Sequence, residues 1–393
     1  MEEPRQTVWS RDFTLHWVAN FLISLGFYFL LPTLPVFAVK ALGADKSQVG
    51  YIIGIYTLSA VAIRPFVGYA LDTLGRRKVY LWAIGFFALL AFSYQLAFSL
   101  LLLFILRLLH GFTWGATTTG GGTIAADLLP TQRRGEGIGY FGLSMTLAMA
   151  LGPVVGLWLM GDNSYDTLFL SSGGLTVAAL VAAAMVKYPT LTTVKRPLVW
   201  EAFFERRVFH VCIAMFFATV TYGGIISFIT LYSEEIGIRN GGLFFLIYAI
   251  ALSLTRPIAG RLMDRHGPSP VIVSGFILLI AGFLSLWASH QLAGFAMAAV
   301  LIGIGNGNIW PTLQTMVINL VQPQRRGVAN STYFSAVDLG IGTGSIMLGF
   351  LADKTSLGTI YLVSAVILLI PLVYLLLYVS RDYKHKMAEV RHG

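Results

Sequence analysis

The chain has 393 residues, 56% of them hydrophobic and only 11% charged, against about 25% charged in an ordinary soluble domain. That balance excludes a soluble enzyme, a disordered chain and a fibrous protein, and leaves a polytopic α-helical membrane protein. The net charge of +9 then reads as Lys and Arg in loops on one side of a bilayer rather than as a nucleic-acid surface, and the single cysteine, Cys212, excludes an intramolecular disulfide framework.

The opening MEEPRQTVWSRDF starts acidic and precedes no small-residue cleavage site, so it is not read as a signal peptide. The first apolar run, Phe13 to Val39, contains no Asp, Glu, Lys or Arg and exceeds the ~20 residues that cross a bilayer as a helix. Eleven further runs follow. The predicted spans are 14–38, 48–71, 78–97, 100–125, 136–160, 166–187, 208–232, 242–263, 270–288, 293–318, 328–350 and 357–379. The stretch from Gly267 to Gln324 has no charge at all and as one helix would be roughly 87 Å long. A hydrocarbon core of about 30 Å makes it fold back, most simply near Ser289-His290-Gln291.

Ionisable residues inside these spans come next in chain order. His16 and Arg64 lie near the inner ends of spans 1 and 2. Arg107 and His110 lie one turn apart in span 4, Arg107 roughly 10–12 Å below the outer surface. Glu136 heads span 5, where the helix dipole favours its charge. Arg256 repeats the position of Arg64, and both are close enough to a helix end to snorkel to the interface. Asp338 lies in a run of small residues in span 11, roughly 18 Å in from Arg326. Charges at such depth are costly and mark function, and a buried carboxylate there is expected to titrate near neutral pH. Three arginines against one deep aspartate favour a solute with an acidic group.

With the N-terminus inside, twenty of the 27 Lys and Arg residues fall on inner segments and four on outer ones. This asymmetry predicts that both termini are cytoplasmic. The two halves also match at a constant offset of 192 residues. Arg64-Pro65-x-x-Gly68 returns as Arg256-Pro257-x-x-Gly260, Asp72 and Gly75 as Asp264 and Gly267, Gly111 and Gly115 as Gly303 and Gly307, and Gln132-Arg133-Arg134-Gly135 as Gln324-Arg325-Arg326-Gly327. The predicted organisation is therefore two six-helix bundles, 1–187 and 208–393, joined by a cytoplasmic linker at 188–207. A duplicated bundle suits a secondary transporter whose halves rock about a central site.

These motifs resemble the major facilitator superfamily over essentially the whole chain. Gly68-Tyr-Ala-Leu-Asp72-Thr-Leu-Gly75-Arg76-Arg77-Lys78 is similar to that family's signature between helices 2 and 3. The resemblance implies a gating latch of Gly68, Asp72, Gly75, Arg76, Arg77 and Asp127, with Asp72 at the start of helix 11 and Arg76 bridging Asp72 to Asp127. In the second copy Pro268 and Asn319 replace Arg76 and Asp127, so the ionic latch is expected to be complete only in the first half. Gly139, Gly152, Pro153 and Gly156 in span 5 resemble the antiporter signature of drug:proton exporters, with Ala148 and Leu157 where that signature has glycine. Arg107-x-x-His110-Gly111 resembles the intramembrane Arg signature linked to proton transfer. The implied fold is all-α, twelve transmembrane helices with a pseudo-two-fold axis. Its cavity is lined by helices 1, 4, 7 and 10, which here carry Asn20, Tyr28, Arg107, Trp114, Thr118, Tyr222, Asn306, Asn308 and Trp310.

No phosphate-binding Gly-x4-Gly-Lys-Ser/Thr string, Cys/His metal cluster, haem signature or hydrolase triad occurs. The expectation is a monomeric, cofactor-free transporter of the bacterial inner membrane. It would exchange protons for a small or amphiphilic solute and export it, with Asp338, Arg107 and His110 as the proton-coupling set. Import of a sugar or organic anion with protons is the alternative; a receptor or intramembrane enzyme is a third, which the duplication argues against.

Overall fold

The computed structural model describes residues 7–44, 46–160, 165–189, 202–238, 241–288, 291–380 and 382–383. Most of the predicted linker (190–201), the turn residues 289–290, and the terminal cations Arg5, Arg381, Lys384, Lys386 and Arg391 lie outside the described residues.

Twelve helices long and apolar enough to span a membrane are present among the described residues. They are α1 (Arg11–Leu42), α2 (Lys46–Thr73), α3 (Arg76–Ser93), α4 (Leu100–Leu128), α5 (Arg134–Met160), α6 (Tyr165–Ala184), α7 (Phe209–Glu235), α8 (Gly242–His266), α9 (Pro268–Ala288), α10 (Leu292–Asn319), α11 (Arg326–Lys354) and α12 (Leu357–Val379). Every predicted span overlaps one of them, and the uncharged stretch breaks between Ala288 and Leu292. Ser10, Ser99 and Ser356 cap α1, α4 and α12 by accepting from the backbone N–H three residues on. Gly75 and Gly267 end α2 and α8 at φ 97° and 83°, a region only glycine enters freely. They are copies of one turn at the 192-residue offset.

The chain divides into two compact units. The first comprises Met1–Pro130, Leu143–Phe204 and Pro323–Ser331: α1 to α4, α6, most of α5 and the first turns of α11. The second comprises Thr131–Gly142, Glu205–Gln322 and Thr332–Gly393: the first turns of α5, α7 to α10, most of α11 and α12. Large apolar side chains such as Leu58, Trp82, Phe86, Trp158, Leu254, Ile258, Ile346 and Phe350 are exposed, as lipid-facing positions must be when the solvent is hydrocarbon.

The internal repeat is carried by packing as well as by sequence. In the first unit Gly111 and Gly115 press α4 onto the Tyr56 and Ala60 carbonyls of α2; in the second, Gly303 and Gly307 press α10 onto α8 at Tyr248 and Leu252. Gly68 meets the Gly327 carbonyl as Gly260 meets that of Gly135, and Gly152 packs on Tyr28 as Gly344 packs on Val220. Every pair differs by 192. Small residues let helix backbones approach closely where lipid supplies no hydrophobic drive between them.

Candidate functional site

The latch residues converge at the end of α2. The Asp72 carboxylate accepts from the Gly327 and Val328 amides in the first turn of α11, at 2.9 and 3.0 Å, and from Arg76 Nη1 at 2.6 Å. Arg76 continues to Asp127 Oδ2 (Nε, 3.0 Å) and donates to the Leu71 and Pro323 carbonyls, both at 2.6 Å. Arg326 closes the network on Asp127 Oδ1 at 2.6 Å. The Asp72, Arg76 and Asp127 side chains are 5%, 5% and 2% exposed. Ions this buried are stable only when paired and fully hydrogen-bonded, and Asp72 also gains from the positive end of α11. Arg77, placed in the latch by the family pattern, has no part in the network and is exposed. It is the next residue on α3, turned about 100° from Arg76.

The second copy keeps more than the sequence suggested. Asp264 accepts from the Gly135 and Glu136 amides at the start of α5, at 3.0 and 2.9 Å, the counterpart of Asp72 on α11. Arg134 Nη1 reaches Asn319 Oδ1 at 2.6 Å, matching the contact of Arg326 with Asp127. What is lost is the arginine that would bridge the two acceptors, because Pro268 stands there. Glu136 is instead paired with Arg133 at 2.6 Å and Arg261 at 2.7 Å, so it is an ion-pair hub as well as a helix-start charge.

In the interior of the first unit, Phe27, Tyr56 and Trp114 stack with centroids 4.1 Å (Phe27–Trp114) and 5.2 Å (Phe27–Tyr56) apart. Arg107, 2% exposed, lays its guanidinium 3.9 Å from the Tyr56 ring centroid and donates Nε to the Ile52 carbonyl at 3.1 Å. His110 Nδ1 and the Tyr94 hydroxyl are hydrogen-bonded at 2.9 Å. Its Nε2 and the Tyr56 hydroxyl are buried with no partner among the described residues. Arg64 does not snorkel. It is 2% exposed and donates to Thr118 Oγ1 (2.9 Å) and Thr119 Oγ1 (3.1 Å), so Thr118 orients an arginine. Asn20 donates to Ser144 Oγ at 2.7 Å, and His16 Nε2 meets the Gly121 carbonyl at 2.8 Å.

The second unit holds a parallel cluster. Tyr222 stacks on Tyr248 at 5.8 Å and meets Trp310 edge-on at 5.4 Å. Arg256, 7% exposed and also not snorkelling, lies 5.9 Å from the Trp310 ring and donates to the Gly142 carbonyl. Asn306 Nδ2 donates to the Tyr248 hydroxyl at 3.2 Å, while Asn306 Oδ1 and Trp310 Nε1 are buried without a partner among the described residues. Asn308 is not with them. Two residues on, about 200° round the helix, it donates to Ser274 Oγ of α9 at 3.2 Å. Asp338 is half-buried on α11 and not the fully enclosed carboxylate expected from depth alone. Along α5, Gly152 and Gly156 sit on α1 at Tyr28 and Phe29, and Gly139 on α8 at the Arg256 carbonyl; α5 runs unbroken through Pro153.

Tyr56 and Tyr248, central to both clusters, were not among the sequence candidates. The signal was available: they stand in the same place of the 192-residue repeat, directly under Gly111 and Gly303.

The Major Facilitator Superfamily model matches residues 17–244 and 211–392. The chain belongs to the major facilitator superfamily; it is a multi-pass membrane transporter and not an enzyme. It is 25% identical over 346 residues to the staphylopine export protein of Staphylococcus aureus, covering 84% of this chain and 86% of that one. It is 23% identical over 393 residues to the multidrug resistance protein MdtG of Proteus mirabilis, covering 95% and 96%. The crystal structure of the human organic anion transporter MFSD10 (TETRAN) superposes with a TM-score of 0.80 at 17% identity, over 93% of this chain and 99% of that one.

Proposed function

We propose that this transporter exports a small amphiphilic solute in exchange for protons, by alternating access and without a cofactor, as a monomer in a bacterial inner membrane. The observation that carries the solute class is the interior chemistry repeated in both units. In each unit an aromatic cluster lies against a buried arginine, and beside it are buried polar atoms with no partner among the described residues: Tyr56 Oη in one, Asn306 Oδ1 and Trp310 Nε1 in the other. Aromatic faces hold the apolar body of a solute, and unsatisfied buried donors and acceptors favour a ligand that satisfies them. The arginines favour an acidic group on it. Export is supported by the glycines of α5 seated on α1 and by two relatives named for export and drug resistance.

Asp338 is the proton carrier in this reading, Arg107 the solute's anchor, and His110 a relay through Tyr94. The α2–α3 latch releases and reforms as access alternates. The test is transport by purified protein in proteoliposomes under an imposed pH gradient, with carboxyfluorescein and ethidium as anionic and cationic probes. Wild type should move a probe against its gradient when the lumen is acid and lose that coupling in Asp338→Asn. Equal coupled flux in both proteins removes Asp338 from the role; probe flux in the same direction as the protons makes the chain a symporter.

A further inference from the structure

We propose that Asn306 and Trp310 of α10 form a subsite for an uncharged carboxamide group of the solute; this rests on the solute-binding role given above to the aromatic clusters and names the group that the second unit reads. The two residues stand four apart in the chain, on neighbouring turns of one helix face. Asn306 is 2% exposed and Trp310 is half-buried. Asn306 Nδ2 donates to the Tyr248 hydroxyl at 3.2 Å, and Tyr248 donates in turn to the Tyr222 hydroxyl. The one Tyr248 hydroxyl proton is thereby used, its oxygen receives the Asn306 N–H, and the amide oxygen of Asn306 is left over. Trp310 packs edge-on to Tyr222 with its ring 5.9 Å from the Arg256 guanidinium. Asn306 Oδ1 and Trp310 Nε1 are both buried with no hydrogen-bond partner among the described residues. One is an acceptor and the other a donor, a helical turn apart.

A buried acceptor beside a buried donor selects a ligand group that supplies both. A carboxylate would satisfy Trp310 Nε1 but set a second acceptor against Asn306 Oδ1. An ammonium would satisfy Asn306 Oδ1 but face the indole N–H and the charge of Arg256. A carboxamide accepts from Trp310 through its oxygen and donates to Asn306 through its nitrogen, with no charge to bury.

The internal repeat shows that the fold does not need this pair. At the 192-residue offset Asn306 corresponds to Trp114, Trp310 to Thr118, Tyr248 to Tyr56 and Arg256 to Arg64. Trp114 stacks on Phe27 at 4.1 Å and Thr118 accepts from Arg64 at 2.9 Å, so both side chains are engaged within the first unit. In the second unit the aromatic and the polar side chain have exchanged turns. Arg256 donates to the Gly142 carbonyl instead, and two polar atoms on α10 are left unpaired. A buried donor or acceptor without a partner destabilises the protein that holds it, and the first unit packs the same two positions in another way. The pair therefore serves a ligand and not the helix.

The experiment measures equilibrium binding to the full-length protein in detergent, by dansyl anisotropy, for two probes. Dansyl-glutamine carries an aromatic body, an acidic group and a carboxamide; dansyl-glutamate γ-methyl ester is alike but has no N–H donor at the end of its side chain. Wild type should bind dansyl-glutamine about tenfold more tightly than the ester, which leaves Asn306 Oδ1 unpaired. Asn306→Leu should erase that preference. Trp310→Phe keeps a ring against Tyr222 and Arg256 but removes the indole donor, which both probes use; it should weaken both about fivefold and keep the preference. Equal affinity of the two probes for wild type overturns the subsite, since the pair then holds only water, and leaves the solute reading standing. A preference that survives Asn306→Leu overturns it, as does Trp310→Phe with both affinities unchanged; the wild-type and Trp310→Phe comparisons hold whether or not the Asn306 variant folds. No saturable binding of either probe overturns the subsite together with the amphiphilic acid on which it rests. No proton gradient enters, so the outcome is independent of the direction of transport.

Discussion

Neutralising Asp72 should loosen the start of α11 far more than neutralising Asp264 loosens the start of α5. Asp72 accepts two amides of α11 and the Arg76 guanidinium while only 5% exposed. Asparagine keeps one acceptor oxygen, and its amide group faces a backbone donor. Asp72→Asn therefore loses at least one amide bond and the charge that offsets buried Arg76, and breaking a buried pair costs about 3–5 kcal/mol. Taking ~3 kcal/mol as the share borne by the latch, its opening equilibrium rises about a hundredfold. Asp264 accepts the two equivalent amides, but no arginine hydrogen-bonds to it among the described residues. Asp264→Asn should cost about 1–1.5 kcal/mol, roughly a tenfold change. The assay is hydrogen exchange by mass spectrometry on peptides containing Gly327–Val328 and Gly135–Glu136, whose amides are the reporters. Exchange at 327–328 should accelerate about a hundredfold in Asp72→Asn, with 135–136 unchanged. Unchanged protection at 327–328, or equal acceleration at both places, would refute the reasoning.

Other substitutions test the interior. A Cβ at Gly152 would overlap Tyr28 of α1, whereas one at Gly174 meets nothing within 4 Å. Gly152→Ala should destabilise by about 1–3 kcal/mol and Gly174→Ala should be neutral or stabilising by up to about 1 kcal/mol, read as thermal unfolding in detergent. Tyr56→Phe removes a buried hydroxyl with no partner among the described residues. It should hold or raise the unfolding temperature, by about 1–2 kcal/mol of stability, while lowering the apparent affinity for the transported probe in proteoliposomes. A loss of both together would make Tyr56 a packing residue.

Sequence alone was sufficient for the twelve helices and the duplication. Long uncharged runs can only be satisfied in lipid as helices, since every backbone polar group must then bond within its own segment. The 192-residue repeat of Arg64-Pro65-x-x-Gly68 and Asp72-x-x-Gly75 carried the two turn glycines, and the family resemblance carried the contact of Asp72 with the start of α11. Tertiary structure decided where each side chain on those helices goes. Arg64 and Arg256 looked able to snorkel because depth along a helix is legible and azimuth is not; packing turned them onto α4 and α5. Asn306 and Asn308 were indistinguishable as a pair and proved to face α8 and α9. Asp264 held its helix-start contact although its arginine bridge had gone, because two backbone amides need no particular side chain to donate. The meeting of Arg77 and Lys78 with Lys187 beside one cavity was likewise invisible in one dimension: they lie more than a hundred residues apart, and only the folding of α6 against α3 brings them to one place.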